Sequence, residues 1–178
     1  MPLPGTSISC AWVDRLWKTA SVALNNTTMN RTVVHIIFVV AVLGSGLLIG
    51  INNIPGEWYQ SLVKPSFNPP NWIFAPVWSI LYVMIGIAGA RTFLDHRQTP
   101  AWWFWIGQMI LNFLWSPLFF GMQQVGMALI VILALLVAVI GFIVVSRRQD
   151  HLSSVLFVPY AAWVGFATLL NASIFLMN

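Results

Sequence analysis

The chain alternates long apolar runs with short polar ones. Five apolar stretches stand out, at about 33–51, 76–94, 101–120, 125–146 and 155–176, each roughly 19–22 residues long. At about 1.5 Å of rise per residue, such a run crosses a hydrocarbon core about 30 Å thick. The pattern predicts an all-α membrane protein, a bundle of five transmembrane helices. Pro117 and Pro159 fall inside the third and fifth stretches. Kinks rather than breaks are expected there, because neighbouring helices in a bundle can satisfy the freed backbone groups.

The connections are unequal. Residues 121–124 (Gly-Met-Gln-Gln) read as a tight turn, and 95–100 and 147–154 as short polar loops. Residues 52–75, rich in Pro, Asn and aromatics, form the one long loop, and long loops in compact proteins are often functional. Residues 1–30 are expected to be a disordered extension preceding a transmembrane domain at 31–178. They hold no apolar run long enough for a signal-peptide core. Within them Trp12–Leu24 could form a short surface helix, or Met29 could be the true start.

Composition agrees with the pattern. Of 178 residues, 59% are hydrophobic and only 7% charged, and the mean hydropathy is +0.84. A soluble domain carries about 25% charged residues, and a short chain could not cover this much apolar surface without them. The net charge of +4 does not point to nucleic acid, because the basic residues sit singly or in pairs at the ends of apolar runs. With an odd number of spans, Arg15, Lys18, Arg31, Arg91, Arg97, Arg147 and Arg148 fall on the N-terminal side and Lys64 alone on the other. That bias places the N-terminus in the cytoplasm and the long loop outside, for a plasma membrane. Insertion into an outer membrane follows another route, so inner and outer membrane both stay open.

The inventory for catalysis is poor. Asp14, Glu57, Asp95 and Asp150 all lie outside the apolar stretches, which disfavours a proton-driven exporter. Cys10 is the one cysteine, and His35, His96 and His151 are far apart, so neither a disulfide nor a metal site is expected. No nucleophile with a base and no phosphate-cradling loop appears.

The intramembrane polar and aromatic residues are more informative. Gln108, Asn112 and Trp115 share a helical face on the third stretch, as do Trp163, Ala167 and Asn171 on the fifth. On the second, Trp78 and Tyr82 are followed by the small residues Gly86 and Ala90. An amide in hydrocarbon needs a partner, so these faces should turn into the bundle. Amides used only as interhelical glue are the plainer reading of any one position. Three such faces together describe an apolar pocket with a few placed polar groups, suited to a large flat ligand. Trp102, Trp103 and Trp105 read as an interfacial belt, and Trp58 and Trp72 suit the belt as well. The Gly46–Gly50, Gly86–Ala90 and Ala161–Gly165 spacings predict close helix packing within the chain, a homodimer seam being their other use.

Several segments, in order, resemble the TspO/MBR family, the translocator proteins and bacterial tryptophan-rich sensory proteins. They are Glu57-Trp58-Tyr59, Lys64-Pro65-Ser66-Phe67-Asn68-Pro69-Pro70, Trp72-Ile73-Phe74-Ala75-Pro76-Val77-Trp78 and Leu81-Tyr82. Gln108, Asn112, Trp115-Ser116-Pro117 and Phe119-Phe120-Gly121 continue the likeness, and Pro159-Tyr160, Trp163, Ala167 and Asn171 complete it over about 31–178.

The resemblance implies a five-helix fold with a pocket under the first loop. It implies porphyrins such as protoporphyrin IX, sterols in animal members and synthetic drugs as ligands, with no further cofactor. By position, Tyr59, Pro69, Trp78, Tyr82, Asn112, Trp163 and Ala167 match family pocket residues. Adding the faces above, the candidate ligand-binding set is Tyr59, Pro69, Trp72, Trp78, Tyr82, Gln108, Asn112, Trp115, Trp163, Ala167 and Asn171. The implied function is a porphyrin-binding membrane receptor or transporter, in tetrapyrrole traffic or in stress or light signalling. A light-dependent porphyrin-degrading enzyme using Trp78 and Trp163 is one alternative, and a small exporter or membrane scaffold is another. The chain departs from some members at Ser66 and Phe67, where they have tryptophan. No Lys or Arg follows Tyr160, which weakens a sterol motif.

Overall fold

The computed structural model describes residues 30–178, so the expectations for residues 1–29 lie outside it. The chain divides into two units, residues 1–34 and 35–178. In the first, Asn30 opens a helix, its side chain accepting the Thr32 N–H at 3.0 Å and its carbonyl the Val34 N–H at 3.1 Å. The second unit carries the helical bundle.

Among the described residues six α-helices run in order: α1 (Arg31–Asn52), α2 (Glu57–Ser61), α3 (Phe74–His96), α4 (Pro100–Ser116), α5 (Val125–Ser146) and α6 (His151–Met177). A short 3-10 turn, Asn71–Ile73, leads into α3, and no strand occurs among the described residues. Helix α2 is the addition to the five expected stretches. Its five residues, inside the long loop, are too few for helical periodicity to show. Among the described residues four helices are long and apolar enough to cross a membrane: α1, α3 with its 3-10 turn, α5 and α6. Helix α4 has 17 residues, and Pro117 then changes the winding to a π turn, Pro117–Gly121, rather than merely kinking the helix. Pro159 sits inside the unbroken α6.

Helix α5 shows what sorts the faces. Ala128, Ile132, Leu135, Val139, Phe142 and Ser146 recur every three or four residues and are buried. Ile130, Leu133, Val137, Ile140 and Val144 recur likewise on the opposite side and are 47–69% exposed. Both stripes are apolar, an arrangement that water would penalise and lipid accommodates. Helix α5 packs most extensively on α6 and α4, and α3 lies against α6 and α4. The shared core joins Leu81, Ile85 and Ala88 to Trp105, Met109, Phe142, Phe157, Tyr160 and Val164.

Glycines set the closest approaches. A Cβ on Gly86 would lie 2.7 Å from the Val39 backbone Cα, so α1 and α3 meet there without an intervening side chain. Gly46 gives way to the Tyr82 ring, Gly89 to Trp105 and Gly141 to Phe104. Gly50 and Gly165 have nothing within 4 Å, so neither of these members of the expected small-residue pairs sits at a close approach.

Trp105 corrects the expected belt. It is 8% exposed, its indole N–H donates to the Ile85 carbonyl at 3.1 Å, and its ring stacks on Trp102 at 5.3 Å. It falls on the inward face with Gln108 and Asn112, and Gly89 leaves the room it occupies. Trp103, two residues before Trp105, is 69% exposed.

One ion pair anchors the end of the bundle where α5 joins α6. Arg91 donates from Nε and Nη2 to the two Asp150 carboxylate oxygens, both at 2.8 Å. Asp150 also caps α6, accepting from the Ser153 N–H at 3.4 Å and from Ser153 Oγ at 2.6 Å. Burial pushes the carboxyl up, but the hydrogen bonds from Arg91 and Ser153 outweigh it and hold the group at about 2.

Two predictions follow from this packing. Gly86→Ala should destabilise the detergent-solubilised protein by about 1–3 kcal/mol, because the obstructing atom is backbone and cannot rotate away. Gly107→Ala, with nothing within 4 Å, should melt within a degree or two of wild type in the same thermal assay, about the scatter of a neutral surface change. The Asp150 pKa lies below its unfolded value of 3.8, so its stabilisation is complete above that pH and is lost as pH falls through about 2. Asp150→Asn should therefore cost on the order of 2 kcal/mol near neutrality, with the gap to wild type closing near pH 2. A gap independent of pH would refute the assignment.

Candidate functional site

A cavity of about 510 Å3 opens between the C-terminal half of α1, the long loop, the N-terminal half of α3, the end of α4 with its π turn, and α6. Its walls are mainly apolar and aromatic, with Asn53, Asn71, Ser79, Asn112, Ser116 and Asn171 as placed polar groups. No charged side chain lines it among the described residues.

The aromatic wall is built from helical spacing. Trp78 and Tyr82, one turn apart on α3, stack at 5.2 Å, and Trp78 meets Tyr160 edge-on at 6.3 Å. Phe74, one turn before Trp78, meets Trp163 of α6 edge-on at 5.8 Å. Trp115 stacks on Phe119 at 5.3 Å, and its N–H donates to Asn171 Oδ1 at 3.1 Å. Asn171 in turn donates to the Val125 carbonyl at 3.1 Å, so both side-chain groups of that amide are occupied. From the loop, Tyr59 packs on Phe119 and Phe120 and donates to Asn68 Oδ1 at 3.2 Å. Burial pushes the Tyr59 hydroxyl above its ordinary range, partly offset by the Asn68 bond, so it stays a donor at neutral pH.

Beneath this wall runs a relay of hydrogen bonds across three helices. Tyr82 Oη donates to Asn112 Oδ1 at 3.1 Å, Asn112 Nδ2 to Tyr160 Oη at 2.8 Å, and Tyr160 Oη to Gln108 Oε1 at 3.0 Å. Tyr160 and Gln108 are 0% exposed. Among the described residues two buried side-chain donors have no partner, Gln108 Nε2 at the far end of the relay and Trp163 Nε1 of a side chain that lines the cavity.

Of the candidate set, Tyr59, Trp78, Tyr82, Asn112, Trp115, Trp163, Ala167 and Asn171 line the cavity. Three do not. Gln108 stands one layer behind, held by Tyr160. Pro69 lies in the loop outside the lining, and Trp72 is 72% exposed, as an interfacial residue would be. The sequence pattern also missed a whole wall. Gly46, Gly50, Asn53 and Ile54, from α1 and the residues after it, face the cavity, with Phe74, Phe119 and Phe120 opposite. The Gly46–Gly50 spacing is the available signal, but it reads as helix packing or a dimer seam rather than as a cavity wall. No cluster of metal-ligating side chains occurs among the described residues.

A sequence model of the TspO/MBR family matches residues 35–177. The chain belongs to that family. It is 39% identical to a tryptophan-rich protein TspO of Archaeoglobus fulgidus over 152 residues, covering 83% of this chain and 97% of that one. It is 38% identical to protein CrtK of Rhodobacter capsulatus over 128 residues, 70% of this chain and 80% of that one. It is also 35% identical to the human translocator protein over 135 residues, 71% of this chain and 79% of that one. With four apolar helices of spanning length, this TspO/MBR protein is an integral membrane protein.

The relay makes a prediction about stability. Asn112→Leu leaves the Tyr82 proton and the Tyr160 lone pair unmatched and should cost about 2 kcal/mol. Tyr82→Phe removes only the outer end and should cost under about 1 kcal/mol, near the average for interhelical hydrogen bonds in membranes. Unfolding in detergent measures both, and equal losses would mean that the relay does not act as a chain.

Proposed function

We propose that this TspO/MBR protein binds porphyrins and related flat apolar ligands in the cavity beneath its long loop, as a receptor or transporter-like protein. The carrying observation is the cavity itself: about 510 Å3, aromatic on several sides, with Trp78, Trp115 and Trp163 from three helices at its wall. That volume is within the range of about 300–1,000 Å3 usual for small-molecule sites. The flat rings offer stacking area to a flat ligand. The porphyrin identity comes from the family resemblance, and protoporphyrin IX is the probe it selects.

In this reading Pro100–Gly121, helix α4 with its π turn, is the fifth span. Its 17 α-helical residues and five π-turn residues together reach across a hydrocarbon core. The excess of Lys and Arg on the N-terminal side supports a cytoplasmic N-terminus, with the loop and cavity mouth on the opposite face.

Titration of the detergent-solubilised protein with protoporphyrin IX should give saturable tryptophan quenching and a shifted porphyrin absorption band. Trp78→Ala with Trp163→Ala should weaken the affinity read from the absorption band by about tenfold or more, the loss of about two stacking contacts. Quenching that never saturates, or an affinity within twofold of wild type in the double variant, would sink the proposal.

A further inference from the structure

The loop that covers the cavity is held to the rest of the bundle by very few polar contacts. Most of its hydrogen bonds are internal: Tyr59 to Asn68, Ser61 to Trp58, and Lys64 Nζ to the Gln60 and Leu62 carbonyls, both at 3.1 Å. Its apolar anchors are Trp58 and Tyr59 against Phe119, Tyr59 against Phe120, and Phe67 against Phe166. Apart from the Ile73 N–H on the Pro70 carbonyl, where the loop runs into the 3-10 turn, the described hydrogen bonds between residues 54–70 and any other element come from one side chain, Asn178.

Asn178 grips the loop as a neighbouring strand would. Its Oδ1 accepts the Val63 N–H at 3.0 Å, and its Nδ2 donates to the Val63 carbonyl at 3.1 Å. The same Nδ2 donates to the Ile174 carbonyl at 2.9 Å, which fixes the amide at the end of α6. Val63 lies in the loop between Tyr59 and Asn71, which both line the cavity, while Val63 itself stays outside the lining. An Asn side chain presents one donor and one acceptor in a plane, which matches the two backbone groups of one extended residue. Both partners are exposed to solvent, so the grip is reversible.

We propose that Asn178 is the latch that holds the loop closed over the cavity and so sets how fast a bound ligand leaves. It acts through the loop backbone and touches no ligand. The latch itself is independent of the porphyrin reading, and only the release rate rests on it.

Asn178→Ala and, as a control, Ser173→Ala test the latch. Ser173 donates only to the Leu169 carbonyl of its own helix, at 2.8 Å. In ligand-free protein, amide hydrogen exchange at Val63 should speed by about tenfold in Asn178→Ala and stay at the wild-type rate in Ser173→Ala. Protoporphyrin IX release, followed by recovery of tryptophan fluorescence, should speed by about threefold or more in Asn178→Ala, with association little changed. Unchanged exchange at Val63 overturns the latch. Faster exchange with unchanged release overturns the gating role while leaving porphyrin binding intact. Failure of the wild type to bind porphyrin counts against the proposed function, and the exchange result still decides the latch.

Discussion

In hydrocarbon a polar group finds no water, so polar groups inside the bundle are driven to find protein partners, and among the described buried side-chain donors and acceptors all but Gln108 Nε2 and Trp163 Nε1 do so. That constraint fixes how the helices are rotated. Tyr82, Asn112, Tyr160 and Gln108 can be linked only if α3, α4 and α6 turn those faces toward one another. Trp115, Asn171 and the Val125 carbonyl make the same demand on α4, α6 and the start of α5. Side-chain apolarity cannot set these rotations, because α5 is apolar on its lipid face as well as its inner face. The polar bonds therefore select the orientation, and the cavity wall follows from it. Trp78 and Trp163 meet the space because their helices are already turned by Tyr82 and Tyr160.

Size complementarity then sets the distances. Each inward glycine at a close approach receives a backbone or an aromatic ring: Val39 on Gly86, Tyr82 on Gly46, Trp105 on Gly89 and Phe104 on Gly141. Tight contact where α1 meets Gly86 contrasts with open space at Gly50, one turn beyond Gly46. Helix α1 thus closes on α3 at its middle, and its C-terminal half borders the cavity.

Much of this was legible in the sequence. Spacing on a single helix showed the shared faces of Gln108, Asn112 and Trp115, and of Trp163, Ala167 and Asn171. What spacing cannot show is which neighbour faces them, because lipid and protein are equally apolar surroundings for a helix. Hence spacing groups Gln108 with the cavity residues although it sits a layer behind, and Trp105 with the belt although it lies in the core. The α1 wall was hidden for a related reason. A glycine that admits a ring and a glycine that borders an empty space leave the same mark in a sequence. Helix α2 and the loop contacts rest on pairings far apart in the chain, such as Val63 with Asn178, which no local pattern encodes.

The two ends of the bundle are held by different physics. Where α3 ends and α6 begins, a two-pronged ion pair between Arg91 and Asp150 is reinforced by the Ser153 cap, and the carboxylate is 6% exposed. Charge pairing of that kind resists local opening, because separating the partners strands a buried charge. At the cavity end no ion pair joins the described residues of the cover to the helices. The cover rests on edge-to-face ring contacts and on two neutral hydrogen bonds in contact with solvent. Local opening should therefore be concentrated at the cavity end. A molecule that must admit a bulky ligand without losing its helix packing needs that asymmetry, with rigidity at one end and a cover of low local stability at the other.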